Sequence, residues 1–111
     1  MHSVQLSGPR GAEWIAVVPS TRRERRLGLL GRPRLASGEA LLLLGCRSVH
    51  TVGMRVPITV AFLNNHFVVL QVMRVPAGRV LAPRRGGRHI LECAIGADVR
   101  VGDTLKSTGG R

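Results

Sequence analysis

The chain has 111 residues, the length of one domain, and a domain of that size buries roughly 65% of the surface that its unfolded chain exposes. Lys and Arg number 17 against 6 Asp and Glu, giving a formal net charge of +11, while aromatic residues make up only 3% of the chain. The charge favours an acidic protein or a polyanion as partner, or else reflects a compositional bias of the genome, and the few rings argue against a platform for stacking bases.

Two features bear on the compartment. The two cysteines, Cys46 and Cys93, do not make a disulfide framework. The longest uninterrupted apolar run, residues 40–44, is far shorter than the roughly 20 residues that cross a bilayer, and no secretion signal is visible. We therefore expect a cytoplasmic protein with reduced thiols and no transmembrane segment.

The first predicted elements are one strand and one helix. Residues 13–18 have the composition of a strand, with the large ring of Trp14 to anchor it against the core. Thr21 followed by Glu24 forms a capping-box pattern, which predicts a short helix over residues 22–30.

The middle of the chain predicts a sheet. Residues 40–44 form a continuous apolar run between glycines, which favours a central strand covered on both faces. Apolar residues alternate over 58–63 and again over 68–73, on either side of Asn64-Asn65-His66. This pattern predicts a β-hairpin, with an asparagine accepting the positive φ of the turn.

The last third of the chain predicts loops around a further short element. Residues 76–87 are rich in Pro, Gly and Arg and predict an irregular basic loop, and residues 89–93 predict a strand or a short turn of helix. Gly102-Asp103 predicts a turn, with residues 107–111 as a flexible tail. The expected fold is α+β: a mostly antiparallel curved sheet or small β-barrel with one short helix, forming a single domain over 1–111 with its core at about 13–106.

A family resemblance rests on short motifs that follow one another in a fixed order. They are Arg26-Leu27-Gly28-Leu29-Leu30-Gly31-Arg32, Gly38-Glu39-Ala40-Leu41-Leu42-Leu43, Met54-Arg55 before Pro57-Ile58, Ala61-Phe62-Leu63, Val75-Pro76, Leu91-Glu92 and Gly102-Asp103. Over residues 13 to 105 the chain resembles the family catalogued as domain of unknown function 192, small bacterial and archaeal proteins. The resemblance implies a mixed β fold and carries no settled activity.

The chain departs from this family's pattern at three places. Val52-Gly53 stands where many members look to have an aromatic pair, and Thr59 and Asn64 stand at positions that are often acidic. If those acids bind a cation or polarise a substrate in the family, this chain lacks the groups. Many members also carry a secretion signal or a lipid anchor, which we do not expect here.

Two Cys/His pairs are the candidates for a metal site. Cys46 and His50 are four residues apart, as are His89 and Cys93, so together they could form a Cys2His2 zinc set. Neither pair has the short-knuckle spacing of zinc ribbons, and the alternative is two small buried thiols with locally hydrogen-bonded imidazoles. Ser48 or Cys46 with His50 lacks an orienting acid for nucleophilic catalysis. We expect no cofactor and assign no catalytic residue.

Clustered arginines are the candidates for anion binding. Like charges so close together repel one another, and an anionic partner relieves that repulsion through the planar guanidinium fork. The alternative is two solvated faces, and no recognised DNA-reading module accompanies the clusters. The candidate residues are Arg22, Arg23, Arg25 and Arg26 in the predicted helix, and Arg84, Arg85 and Arg88 in the basic loop.

A candidate pocket follows from the family signature. Met54 and Arg55 precede the predicted hairpin, with His50 nearby, and Glu92 lies in the predicted strand after the basic loop. Met54 could equally fill a gap in the interior. The function that we expect is a non-catalytic binding or accessory module; a polyanion or nucleic-acid binder is the alternative, and a small metal-dependent enzyme is the second alternative.

Overall fold

The computed structural model describes residues 2–19, 35–50 and 56–110, with the backbone alone at 49–50 and 108–110. The helix predicted over 22–30 lies outside this part of the chain, as do four of the candidate arginines. The described residues contain no α-helix and are mostly strand. Among them, no helix has the length and apolarity that spanning a membrane requires.

Seven strands form one sheet and two form a separate ribbon. The sheet has the order β6-β5-β8-β3-β2-β1-β9, and the ribbon pairs β4 with β7. All pairs are antiparallel except β2 with β3, which run parallel. The strands are β1 His2–Ser7, β2 Glu13–Val18, β3 Glu39–Leu43, β4 Val49–His50, β5 Ile58–Leu63, β6 Val69–Val75, β7 Val80–Leu81, β8 His89–Cys93 and β9 Lys106–Gly110, with a 3₁₀ turn at Pro9–Gly11 between β1 and β2.

The strand alternation divides the core into two apolar clusters. Side chains alternate between the faces of a strand, so neighbours such as Leu42 and Leu43, or Leu91 and Ile90, fall in different clusters. We call the cluster that contains Trp14, Leu42 and Leu91 the inner cluster, and the one that contains Phe62, Leu43 and Ile90 the outer cluster. Because β3, β5 and β8 are apolar on both faces, they occupy the middle of the sheet.

The segment that precedes β9 contacts the β6 side of the sheet, and these contacts curl the sheet into a half-barrel. The Val69 amide donates to the Asp103 carbonyl at 2.8 Å, the Gly102 amide donates to the Val69 carbonyl at 2.8 Å, and the Leu105 amide donates to the Phe67 carbonyl at 3.0 Å. The segment that leads into β9 therefore connects the β6 side of the sheet to the β1 side. Leu105 is buried in the inner cluster beneath it.

Several predictions about the strands are confirmed. The strand predicted at residues 13–18 is β2, and Trp14 is buried in it. Residues 40–43 lie in the central strand β3, and β5 and β6 form the predicted hairpin. The basic loop is irregular apart from the two residues of β7, and residues 89–93 form β8. Because the predicted strands have their apolar side chains on buried faces, the hydropathy pattern sufficed to locate them.

Two expectations differ from the structure. Residues 107–110, expected to be a flexible tail, belong to β9 and pair with β1, which itself lies before the expected core. The residues of β9 are polar or glycine, so their hydropathy does not indicate a strand. Backbone hydrogen bonds to β1 form it instead. In the hairpin turn the positive φ, 60°, falls on Phe67, while the Asn64 side-chain oxygen accepts hydrogen bonds from the amides of His66 and Val68, both at 2.9 Å.

Candidate functional site: the arginine edge

One end of the sheet gathers exposed arginines from separate loops. β3 and β5 both run antiparallel to β8, so the carboxyl ends of β3 and β5 and the amino end of β8 meet at the same edge. Arg84, Arg85 and Arg88 precede β8, and Arg47 follows β3; all four are exposed. We call these four residues the arginine edge.

The turn that carries Arg84 and Arg85 is held rigidly. The Gly87 amide donates to the Arg84 carbonyl at 2.9 Å, and Gly86 adopts φ of 80°, as the third position of a type II turn requires. A Cβ on Gly87 would lie 2.9 Å from that carbonyl oxygen, so the turn needs glycine there. The Arg88 amide then donates to the Leu63 carbonyl at 2.8 Å, which fixes the turn to the end of β5.

The arginines of this edge have no acidic neighbours in the described chain. Within residues 2–19, 35–50 and 56–110, no carboxylate lies within ion-pair distance of Arg84, Arg85 or Arg88. Glu13 and Glu39 begin β2 and β3 and so lie at the opposite end of the sheet. The positive charge of the edge is therefore uncompensated by the part of the chain that the structure describes.

His89 connects the edge to the sheet. Its Nδ1 accepts a hydrogen bond from the Gly45 amide at 3.0 Å, and its ring lies 5.0 Å from the Phe67 ring at an interplanar angle of 60°. Partial burial, and secondarily the neighbouring Arg88 charge, lower the pKa of His89 below its usual 6.5. The imidazole is thus neutral at pH 7 and acts as an acceptor that positions the loop carrying Arg47.

Glu92 is the member of the candidate pocket that the structure describes in full. It is 2% exposed and pairs across the strands with Leu41 and Val60, both in the outer cluster. Burial raises the pKa of Glu92 to about 8, so the carboxyl is mostly protonated at pH 7. The side chain of His50 is not described, and Met54 and Arg55 lie outside the described residues, so the pocket itself stays a prediction.

The structure separates the two candidate thiol ligands. Cys93 is fully buried in the inner cluster, where burial and the adjacent Glu92 raise the pKa of its thiol to about 12. Cys46 packs against the outer cluster, on the other side of the sheet. No group of three or more His, Cys, Asp and Glu able to hold a metal ion occurs among the described residues. The geometry therefore gives the Cys2His2 set no support.

An ion-pair network that the sequence did not reveal joins the two termini of the chain. Arg10, with φ of 64°, donates from both terminal nitrogens to Asp103 at 2.6 and 3.1 Å and from Nε to both oxygens of Asp98 at 3.1 Å. The Arg100 amide also donates to Asp103 at 2.9 Å, which confirms Asp103 as a turn residue. The partners are 88 and 93 residues apart, so no local spacing predicts them.

Comparison with known proteins agrees with the fold. Residues 6–107 match the family model DUF192, described as Uncharacterized ACR. No curated protein matches the chain. A protein of unknown function from Novosphingobium aromaticivorans DSM 12444 superposes with a TM-score of 0.76 at 19% identity, covering 94% of this chain and 83% of that one.

A second solved structure gives a similar result. It is described as a "putative transcription regulator" from Sinorhizobium meliloti 1021, and it superposes with a TM-score of 0.78 at 17% identity, covering 96% of this chain and 92% of that one. At these identities the likeness establishes the curled β fold and leaves the function to be argued from the residues of this chain.

Proposed function

We propose that this chain, which belongs to the DUF192 family of uncharacterized proteins, is a non-catalytic module that binds an anionic partner through its arginine edge. The observation that carries the proposal is the rigid turn that presents Arg84 and Arg85 to solvent without a carboxylate beside them in the described chain. A fixed backbone under the guanidinium groups lowers the conformational entropy that binding would cost.

The chemistry of these side chains favours phosphate or carboxylate. A guanidinium donates through a planar fork that matches both groups, and it stays charged at any physiological pH. Because Glu92 is mostly protonated at pH 7, the protein carries about one positive charge more than its formal +11. Long-range attraction therefore brings polyanions to the surface, and the arginine edge gives them a defined place to bind.

The buried thiol supports a binding role over nucleophilic catalysis. Cys93 is fully buried, and burial holds it in its neutral form. A thiol with a raised pKa is a poor nucleophile because the thiolate is the reactive species. Cys93 is thus not suited to attack a dissolved substrate.

Nucleic acid is the polyanion to test first. The neighbour from Sinorhizobium meliloti is described as a "putative transcription regulator", and phosphodiesters offer the repeated anions that several arginines can contact together. The proposal places the protein in the cytoplasm, where both nucleic acids and reduced thiols occur.

The test is a salt titration of binding. We expect the protein to bind a fluorescein-labelled 20-base-pair duplex, with anisotropy showing an affinity that falls steeply between 50 and 200 mM NaCl, values chosen to span the range where counterion release is resolved. The double variant Arg84→Ala/Arg85→Ala should reduce the slope of log affinity against log salt by about 2, because each phosphate contact contributes roughly one unit.

A matched control removes two charges from elsewhere. Arg74 and Lys106 are exposed on β6 and β9, and neither belongs to the arginine edge. Arg74→Ala/Lys106→Ala should retain most of the wild-type slope. Equal losses in the two double variants would show that net charge acts without a site, and binding to an acidic peptide but not to the duplex would assign the edge to an acidic protein.

A further inference from the structure

The end of the sheet opposite the arginine edge contains a pocket of about 230 Å³. It lies between the start of β2 at residues 12–14, the turn before β3 at residues 37–38, and the chain after β8 at residues 94–98. Alanine and glycine make up half of these positions, so the backbone lies close to the cavity. The volume is below that of typical drug-sized ligand pockets, which favours a single side chain or a small molecule as occupant.

The charged groups that line this pocket are both carboxylates, Glu13 and Asp98. Glu13 is exposed, with no partner among the described residues, whereas Asp98 is shared by Arg10 and Arg100, whose Nε atoms lie 3.1 and 3.3 Å from its Oδ1. The uncompensated charge at the pocket is therefore that of Glu13. The hydroxyl-bearing Ser37 adds a neutral acceptor in the same wall.

The remaining wall is apolar. Ile95 is 42% exposed although it lines the cavity, and Ala12, Ala94 and Ala97 line the same cavity. An aliphatic chain in the pocket would cover Ile95 and remove that surface from water. A carboxylate and aliphatic surface in the same cavity match a ligand that is a cation on a short alkyl stem.

We infer that this pocket binds an alkylammonium or alkylguanidinium group, with the cation at Glu13 and the alkyl stem against Ile95. The inference is independent of the proposed function, since the pocket lies at the other end of β3 and β8 from the arginine edge. The same chemistry occurs in a free amine and in a lysine or arginine side chain of a partner protein, and the experiment must separate these two sources.

The experiment uses Trp14 as reporter, because it lines the pocket and is the one tryptophan of the chain. Butylamine and propylguanidine are the free probes, and an acetylated, amidated lysine tripeptide is the peptide probe. We expect saturable changes in Trp14 emission with all three, and none with butanol, which lacks the charge. Tighter binding of the tripeptide would assign the pocket to a partner's side chain, and tighter binding of the free amines would assign it to small molecules.

Two variants locate the binding. Glu13→Gln should weaken it about tenfold, because a charge-assisted hydrogen bond is lost. Glu39→Gln removes the same charge from the same end of the sheet, and its amide oxygen can still accept from the Ala36 amide as Glu39 Oε1 does at 3.0 Å, so the turn that lines the pocket is kept and the variant should bind as wild type does. The inference is overturned if none of the cations changes the emission, if butanol does so equally, or if the two variants bind alike.

Discussion

The two ends of the half-barrel differ in whether their arginines form ion pairs with aspartates of the described chain. At the arginine edge, Arg84 and Arg85 extend from a rigid turn with no carboxylate at ion-pair distance in the described chain. Near the opposite end, Arg10 is held by Asp98 and Asp103, and Arg100 also contacts Asp98. Arg10 therefore connects distant parts of the chain, whereas Arg84 and Arg85, unpaired among the described residues, are available to a partner.

The difference shows why net charge alone does not locate a site. A formal charge of +11 indicates attraction to anions everywhere on the surface. An arginine that is paired with one of the few acids is locally neutralised, and an arginine without such a partner retains its attraction for anions. Since Asp98 and Asp103 are both taken by Arg10, and Glu92 is buried, the acids leave the arginine edge unneutralised within the described residues.

The largest effect that we expect is on the free energy of unfolding, and it comes from Glu92, which is buried in the interior between the two ends. The raised pKa of Glu92, about 8, makes its contribution to stability full below pH 4.5 and lost as pH rises through 8. Glu92→Gln stays neutral, so its free energy of unfolding relative to wild type should rise by about 4 kcal/mol between pH 4 and pH 9. Urea unfolding at pH 4, 7 and 9 measures this difference.

A substitution between side chains that do not titrate supplies the control for that measurement. Gln71→Ala on β6 should differ from wild type by a nearly constant amount over the same pH range, because neither side chain ionises. Other groups that titrate between pH 4 and 9 are common to the compared proteins and cancel in the difference. A constant difference for Glu92→Gln as well would mean that Glu92 ionises as an ordinary surface acid does.

A smaller effect is expected where arginine is paired. Asp103 is 8% exposed and accepts from Arg10 and from the Arg100 amide, so Asp103→Ala should cost about 2 kcal/mol of unfolding free energy. Arg84→Ala/Arg85→Ala should change stability by less than about 0.5 kcal/mol, as exposed substitutions usually do. Thermal or urea unfolding of both variants compares the two ends directly, and equal losses would remove the distinction between them.

The same aspartate should also respond to acid. The hydrogen bonds from Arg10, followed by that from the Arg100 amide, lower the pKa of Asp103 below its usual 3.8. Its stabilising contribution is therefore present above pH 3.8 and is lost as pH falls through the lower pKa of the folded state. Asp103→Asn should show a shallower loss of stability below pH 4 than wild type, measured by urea unfolding. An equally steep loss would assign acid sensitivity to other carboxylates.

Runs of apolar residues predicted the strands near the middle of the sheet, because a strand buried on both faces carries apolar side chains at successive positions, as β3 and β5 do. Hydropathy did not predict β9, whose residues Lys106–Gly110 are polar or glycine and pair with β1 through their backbone. The anion candidates Arg84, Arg85 and Arg88 were recognisable because they cluster in one short stretch of sequence.

Sequence patterns did not predict contacts between residues that lie far apart in the sequence. Arg10 meets Asp103 only because the segment before β9 crosses to β6, and a contact across 93 residues depends on the complete topology. The pocket beside Glu13 is likewise lined by three segments that are distant in sequence, and none of them carries a motif that predicts it. The sequence predicts Glu92 as a pocket residue, but its burial between Leu41 and Val60 follows from strand register, which hydropathy alone does not fix.

The smallest expected effect lies at the arginine edge itself, on His89. Burial is the first cause of its lowered pKa and the Arg88 charge is the second, so Arg88→Ala should raise the pKa of His89 while leaving it below 6.5. An NMR titration of the imidazole protons measures the change, and Arg74→Ala, which alters an exposed arginine of β6, is the control. Because the lowered pKa makes the contribution of His89 to stability present above pH 6.5 and lost as pH falls through its folded value, Arg88→Ala should also lessen that loss. An unchanged His89 pKa in Arg88→Ala would show that the Arg88 charge does not act on the ring and that burial alone lowers the pKa of His89.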